Sequence, residues 1–240
     1  MHGNNRFFIK ILNSILLYCI VMNPVLAGFD PMFAVRISEN WLQSQDNQTI
    51  EIASDTFDEF IPDNNNNQIG WGVFAGVNYD FKKHWSLQMG LGFDAVNFDD
   101  LSGNVWGNAD PNFDGIDYQY ELEHQRLAAE FKFLREFDDW YPYVTASLGV
   151  AWNETENYQE TSSTPGELTR EHLFNGTTQT DFVYSIGAGI EREIIDDLRI
   201  GIGYLFTDAG DSVLTAQNTG QDWKQEVQLQ EVLLQLSYIL

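Results

Sequence analysis

The sequence predicts an all-β chain: an eight-stranded antiparallel up-and-down transmembrane β-barrel behind a short apolar leader. Three observations lead there. Apolar and polar residues alternate with period two over segments longer than the five or so residues usual in a soluble sheet. The polar face of those segments is rich in glycine. Short and long connections alternate strictly along the chain.

The leader comes first. "MHGNNRFFIK" carries Arg6 and Lys10 and no acid, an apolar run follows from Ile11 to Met22, and "VLA" leaves small side chains before Gly28. This is the pattern of a secretory signal peptide, with cleavage expected after Ala27 and one domain over 28–240. Asn13 and Ser14 break a run already short for a spanning helix. The single cysteine, Cys19, lies inside it, so the mature chain is expected to carry no disulfide or thiol chemistry. The net charge is −24, and loss of Arg6 and Lys10 takes it to −26. So acidic a chain argues against a nucleic-acid partner and against polybasic docking on membranes.

The strands follow in order. Phe33, Val35 and Ile37 form the apolar face of the first. In "QIGWGVFAGVNYDF" (68–81) every odd position from Ile69 to Phe81 is apolar, and the even ones are mostly glycine or polar. "WSLQMGLGFDA" (85–95) repeats the scheme. Leu127, Ala129, Phe131 and Phe133 mark the fourth, Val144 to Trp152 the fifth, Phe182 to Ile190 the sixth, Leu198 to Phe206 the seventh, and Val232 to Leu240 the eighth. An antiparallel sandwich also alternates, but long strands with a glycine-rich polar face suit a lipid-facing exterior around a narrow interior. In the fourth and eighth strands the apolar parity changes, between Leu122 and Leu127 and between Leu229 and Val232. A bulge would do this, and so would a strand leaving the membrane and continuing as an external hairpin. Segments 82–84, 135–140 and 192–197 read as short periplasmic turns; 42–66, 98–117, 154–179 and 208–223 read as four long external loops, acidic and rich in Asn, Gly and Thr. Closure is required, because an open sheet edge in hydrocarbon leaves backbone groups unpaired.

"WYPYVTASLGVAW" and "YSIGAGIEREIIDDLRIGIGYLF" resemble segments of the bacterial outer-membrane β-barrel domain, in the OmpA-like superfamily of stand-alone barrels. The resemblance implies outer-membrane lipid and lipopolysaccharide as surroundings. It further implies periplasmic chaperones and the barrel-insertion machinery during assembly, and a structural or surface-interaction role rather than an enzymatic one. Insertion signals in such barrels end in an aromatic residue; here "VLLQLSYIL" offers Tyr238 and ends in Leu240.

Several groups are candidates for chemistry. Arg36, Lys132 and Arg199 fall on the polar face with Asp80, Asp94, Glu130, Glu191 and Glu231, and charges in a narrow lumen must be paired or solvated. Such a set forms a polar plug or, as the alternative, a gated ion path. "DPNFDGIDYQYE" (110–121) fits the spacing of an EF-hand loop, but no helices flank it. Asp110, Asn112 and Asp114 are left as a candidate calcium loop, and no other cofactor is expected. His84 and Ser86 resemble the pair of a lipid-modifying barrel enzyme, and His172 with Glu171 and Asp181 would suit a protease rim; no ordered motif supports either. The Asn-x-Thr triplets at Asn47, Asn153 and Asn175 are expected to be ordinary loop composition. A host or cell-surface ligand at the acidic loops completes the expected partners.

Overall fold

The computed structural model describes residues 28–43, 46–63, 66–162 and 173–240; the leader lies outside them. Among the described residues there are eleven strands: β1 (Phe29–Leu42), β2 (Gln48–Ala53), β3 (Thr56–Pro62), β4 (Asn67–Lys82), β5 (Trp85–Trp106), β6 (Asp114–Arg135), β7 (Trp140–Ser162), β8 (Phe174–Gly176), β9 (Thr178–Ile195), β10 (Leu198–Ala216) and β11 (Asp222–Ile239). Eight of them form a ring in which each pairs antiparallel with the next, in the order β1, β4, β5, β6, β7, β9, β10, β11. β1 closes the ring on β11, in register from Met32 opposite Ile239 to Leu42 opposite Leu229. Both chain ends of the ring therefore lie at one rim, where Leu240 N–H donates to Pro31 O at 2.7 Å.

The short turns sit at that same rim. His84, Asp138 and Asp197 adopt left-handed φ values of 66°, 54° and 68° within them, a conformation that polar residues tolerate in tight turns better than branched ones.

At the opposite rim the long connections are themselves largely strand. β5 and β6 run 22 residues each and β7 runs 23, so the connection between β5 and β6 shortens to 107–113. β2 and β3 form a hairpin whose second strand adds to the end of β5, Phe60 opposite Val105. β8 adds to the end of β10. The segments look loop-like in composition because their polar residues are Asp, Asn, Gly and Thr. Alternation still fixes them as strands.

The apparent parity change in β6 and β11 is not a bulge. In β6 the even positions face inward without interruption from Tyr118 to Leu134. In β11 the odd positions do so from Trp223 to Ile239. What reverses is the solvent. Below Leu127 the outward column is Leu127, Ala129, Phe131 and Phe133, and the inward one holds Ala128, Glu130 and Lys132. Above it the outward column is Asp117, Gln119, Glu121, Glu123 and Gln125, while Tyr118, Tyr120 and Leu122 turn inward. A strand that passes from lipid to water must exchange its apolar face, because outside the membrane the apolar residues are the ones that need cover. Register irregularities do occur nearby, at Phe98/Leu101 in β5 and Asp208/Asp211 in β10, but not at either reversal.

The barrel thus has two interiors. The upper one is an apolar core. Trp223 lies at its centre, 4.7 Å from Phe60, 5.2 Å from Tyr118 and 5.5 Å from Phe174 between ring centres; such pairs contribute about 0.5–1.5 kcal/mol each beyond area burial. Leu122, Val227 and Leu229 complete its floor. The lower interior, level with the apolar outer band, is polar.

Candidate functional site

The lower interior is organised by two arginines. Arg36 on β1 donates from Nε and Nη2 to the two oxygens of Asp94 on β5, at 2.5 and 2.7 Å. The same guanidinium reaches Glu130 on β6 at 2.9 and 2.5 Å. Arg126 on β6 donates to Asp94 at 2.9 Å and, through both terminal nitrogens, to Glu231 on β11 at 2.5 and 3.0 Å. Thr207 on β10 joins Glu231 at 2.5 Å and Ser185 on β9 at 2.9 Å. The chain of contacts spans the lumen from β1 to β9 with three carboxylates on two guanidiniums, all largely withdrawn from solvent. Forked guanidinium–carboxylate contacts fix orientation as well as charge.

Glycine makes this arrangement sterically feasible. A Cβ at Gly72 would meet Asp94 Oδ1 and Arg36 Nε, and one at Gly92 would meet the Glu130 carboxylate and Arg36 Nη2. The two wall positions opposite the salt bridges are empty so that the side chains crossing the lumen can fill it.

A second layer lies toward the short-turn rim. Lys132 Nζ donates to Glu191 Oε1 at 2.7 Å and lies 4.4 Å from the Tyr143 ring centre. Gln235 spans from Glu191, at 3.4 Å, to Ser237 Oγ, at 2.7 Å. A small cavity bounded by Phe74, Gln88, Glu130, Lys132 and Gln235 separates the two layers.

Residues 33–238 match the family described as outer membrane protein beta-barrel domain. The chain belongs to that family. It is therefore an integral outer-membrane β-barrel of a Gram-negative bacterium. Its outward apolar residues, among them Val35, Ile37, Trp71, Leu91, Val144 and Ile186, are exposed because lipid is their solvent. In solved structures it is similar to Neisserial surface protein A, with 10% identity, coverage of 89% of this chain and 98% of that one, and a TM-score of 0.46. It is similar also to Ail, the attachment invasion locus protein of Yersinia pestis, with 11% identity, 90% and 100% coverage and a TM-score of 0.42. A third is the outer membrane protease OmpT of Escherichia coli, with 7% identity, 88% and 96% coverage and a TM-score of 0.43. No curated protein matches the chain by sequence.

Of the charged residues that alternation assigned to the lumen of this outer-membrane barrel, Arg36, Asp94, Glu130 and Glu231 meet in the upper layer and Lys132 and Glu191 in the lower. Two lie apart. Asp80 is exposed beside a register shift at the end of β4, taking a hydrogen bond from Asn78 at 3.2 Å; the strand has reached periplasmic water by then. Arg199 is at the same rim, 3.7 Å over the Tyr141 ring and 3.6 Å from Glu193. Arg126 is the residue that sequence reasoning missed. It holds the even parity of Ala128, Glu130 and Lys132, so continuing the period-two count two positions further would have found it.

The remaining candidates are dispersed. Asp110 Oδ1 accepts from Asn112 N–H at 2.9 Å and from its Nδ2 at 2.8 Å, closing a local turn between two short 3-10 segments; the Asp114 side chain lies outside the described residues. His84 Nδ1 lies 3.2 Å from Glu136, whereas Ser86 is buried on the inward face of β5. Asp181 accepts the Asp211 N–H at 3.1 Å, and Glu171 and His172 are outside the described residues. Asn153 is fully buried and donates to Ala209 O and Asp211 O at 2.8 and 3.0 Å, so that triplet is inaccessible to any modifying enzyme in the folded barrel. Tyr238 and Leu240 both face outward at the rim, Tyr238 between Phe33 and Leu198.

Proposed function

We propose that the protein is a closed, non-enzymatic barrel whose lumen is plugged and whose working surface is the acidic, water-facing exterior of its projecting strands. The single observation that supports this is the stacking of two interiors. The Arg36–Asp94–Arg126–Glu231 chain crosses the lumen, and directly above it the core around Trp223 fills the projecting section. Nothing in such an arrangement serves transport, and the strands extend well above the lipid band, which membrane anchoring alone does not require. The face they present carries Asp117, Glu121, Glu123, Glu154 and Glu156, with Glu121 directly opposite Glu156 and Glu123 opposite Glu154. Like charges opposite one another cost stability, which suits a surface that meets cationic groups on another cell surface or divalent ions in the lipopolysaccharide layer.

The projecting section is tested on intact cells. A membrane-impermeant maleimide should label Glu121→Cys and leave Tyr118→Cys unlabelled, because the first faces water and the second the core. Labelling of both, or of neither, contradicts a packed external section.

A further inference from the structure

Two arginines stand in the lipid-facing columns at the periplasmic rim. Arg135 ends the outward column of β6 beneath Phe133, and Arg192 lies beneath Ile190 in that of β9. Each is in register with a tryptophan at the start of the neighbouring strand, Arg135 opposite Trp85 and Arg192 opposite Trp140. Each guanidinium lies over that ring, 5.1 Å from its centre in both cases, and Arg135 also lies 4.4 Å from the Phe137 ring centre. The same device is thus built twice, on four consecutive strands of the ring.

Among the described residues neither guanidinium is neutralised by a carboxylate: none lies within 4 Å of either, and the nearby Glu136 is engaged with His84 and Glu193 with Arg199. An indole covering one face of a guanidinium leaves its five N–H groups free along the edge. Arginine presents those donors as a fork that matches a phosphate. Both sit at the depth where tryptophan prefers the boundary between acyl chains and headgroups.

We infer that the Arg135/Trp85 and Arg192/Trp140 pairs are two binding sites for the phosphate of glycerophospholipids in the periplasmic leaflet. The guanidinium fork takes the phosphodiester oxygens, and the indole lies against the glycerol and upper acyl chain. Acyl chains running up the Phe133 and Ile190 columns would then hold the headgroup against the rim.

Native mass spectrometry of the full refolded chain, released from detergent micelles doped with phosphatidylglycerol, reads this directly. Wild type should retain phosphatidylglycerol, Arg135→Gln and Arg192→Gln should each lose one bound molecule, and the double variant should fall to the level seen with diacylglycerol. Equal retention by wild type and the double variant, or retention of diacylglycerol to the same extent as phosphatidylglycerol, overturns the inference. Displacement of the lipid by inorganic phosphate at equal concentration also overturns it, since the site would then be for free phosphate. If the glutamine variants fail to fold, judged by heat-modifiable gel migration, Arg135→Lys with Arg192→Lys keeps the charge without the fork; it should retain several-fold less lipid, and undiminished retention overturns the inference.

Discussion

Arg126 on β6 and Glu231 on β11 meet across the full width of the lumen, Nη1 to Oε1 at 2.5 Å and Nη2 to Oε2 at 3.0 Å. Their strands are not neighbours in the ring, so the contact braces the barrel from within. Removing one partner leaves the other charge buried without compensation, which costs about 3–5 kcal/mol. Arg126→Ala should therefore lower the unfolding free energy of the refolded barrel by that order in a denaturant titration. A double variant with Glu231→Ala should cost clearly less than the sum of the two single losses, and strict additivity would show that the pair is not coupled.

The glycines facing this network have a steric role that can be isolated. At Gly92 a methyl group collides with the Glu130 carboxylate and Arg36; Gly92→Ala is expected to destabilise by about 1–3 kcal/mol through overpacking. Gly107, where the nearest atom to an added Cβ is Phe113 Cβ at 3.5 Å, is the control. Gly107→Ala should stay within about 0.5 kcal/mol of wild type in the same titration.

Trp223 packs against five aromatic neighbours in the external core. Truncation to alanine should cost about 3–5 kcal/mol, confined to the section above the lipid band. Limited proteolysis of intact cells is the check. Trp223→Ala should open cleavage sites in the projecting strands while heat-modifiable migration of the barrel persists. Loss of migration would mean that the two interiors form one cooperative unit.

His124 is placed above the lipid band, between the outward Glu123 and Gln125. Burial, and next the Arg126 guanidinium, hold its imidazole down to about 4 even though Glu231 and Asp94 pull the other way. The ring is therefore neutral, and the assigned tautomer donates Nδ1–H to Asn153 Oδ1 at 2.7 Å. In the unfolded chain the same group titrates near its ordinary value of about 6.5. Between those values the unfolded state holds the extra proton, so stability falls as pH falls through the window, by up to about 1.4 kcal/mol per unit. His124→Gln should remove this component. The stability difference between wild type and variant should shift against wild type from pH 7 to pH 4; parallel curves would contradict it.

Period two made the ring legible in the sequence: all eight barrel strands and the two faces of each could be read from alternation, while the turns expected at 135–140 and 192–197 shorten to 136–139 and 196–197 because the flanking strands run further. Which environment a face meets was harder to read, because alternation separates two faces without naming their solvents. In β6 the apolar set jumps from Leu122 to Leu127, and reading apolar residues as always outward makes that jump look like a slip. The reading also hid Arg126, which lies inside the interval. Asp80 and Arg199 show a related limit, since parity assigns a side but not a depth: Asp80 is exposed at the end of β4, and Arg199 is buried against the Tyr141 ring at the same rim, outside both layers. The composition of the external segments concealed their strand content for the same reason: their polar residues face water while Tyr118, Tyr158 and Trp223 face one another.

The proposed plug in the lumen is tested most directly by single-channel recording of the refolded barrel in planar bilayers. If the lumen is plugged as proposed, wild type should give no unitary currents across the voltage range that the bilayer withstands, because the arginine–carboxylate chain and the core above it would leave ions no continuous path. Stable, reproducible unitary conductance from wild-type protein that disappears when the protein is omitted would contradict the account.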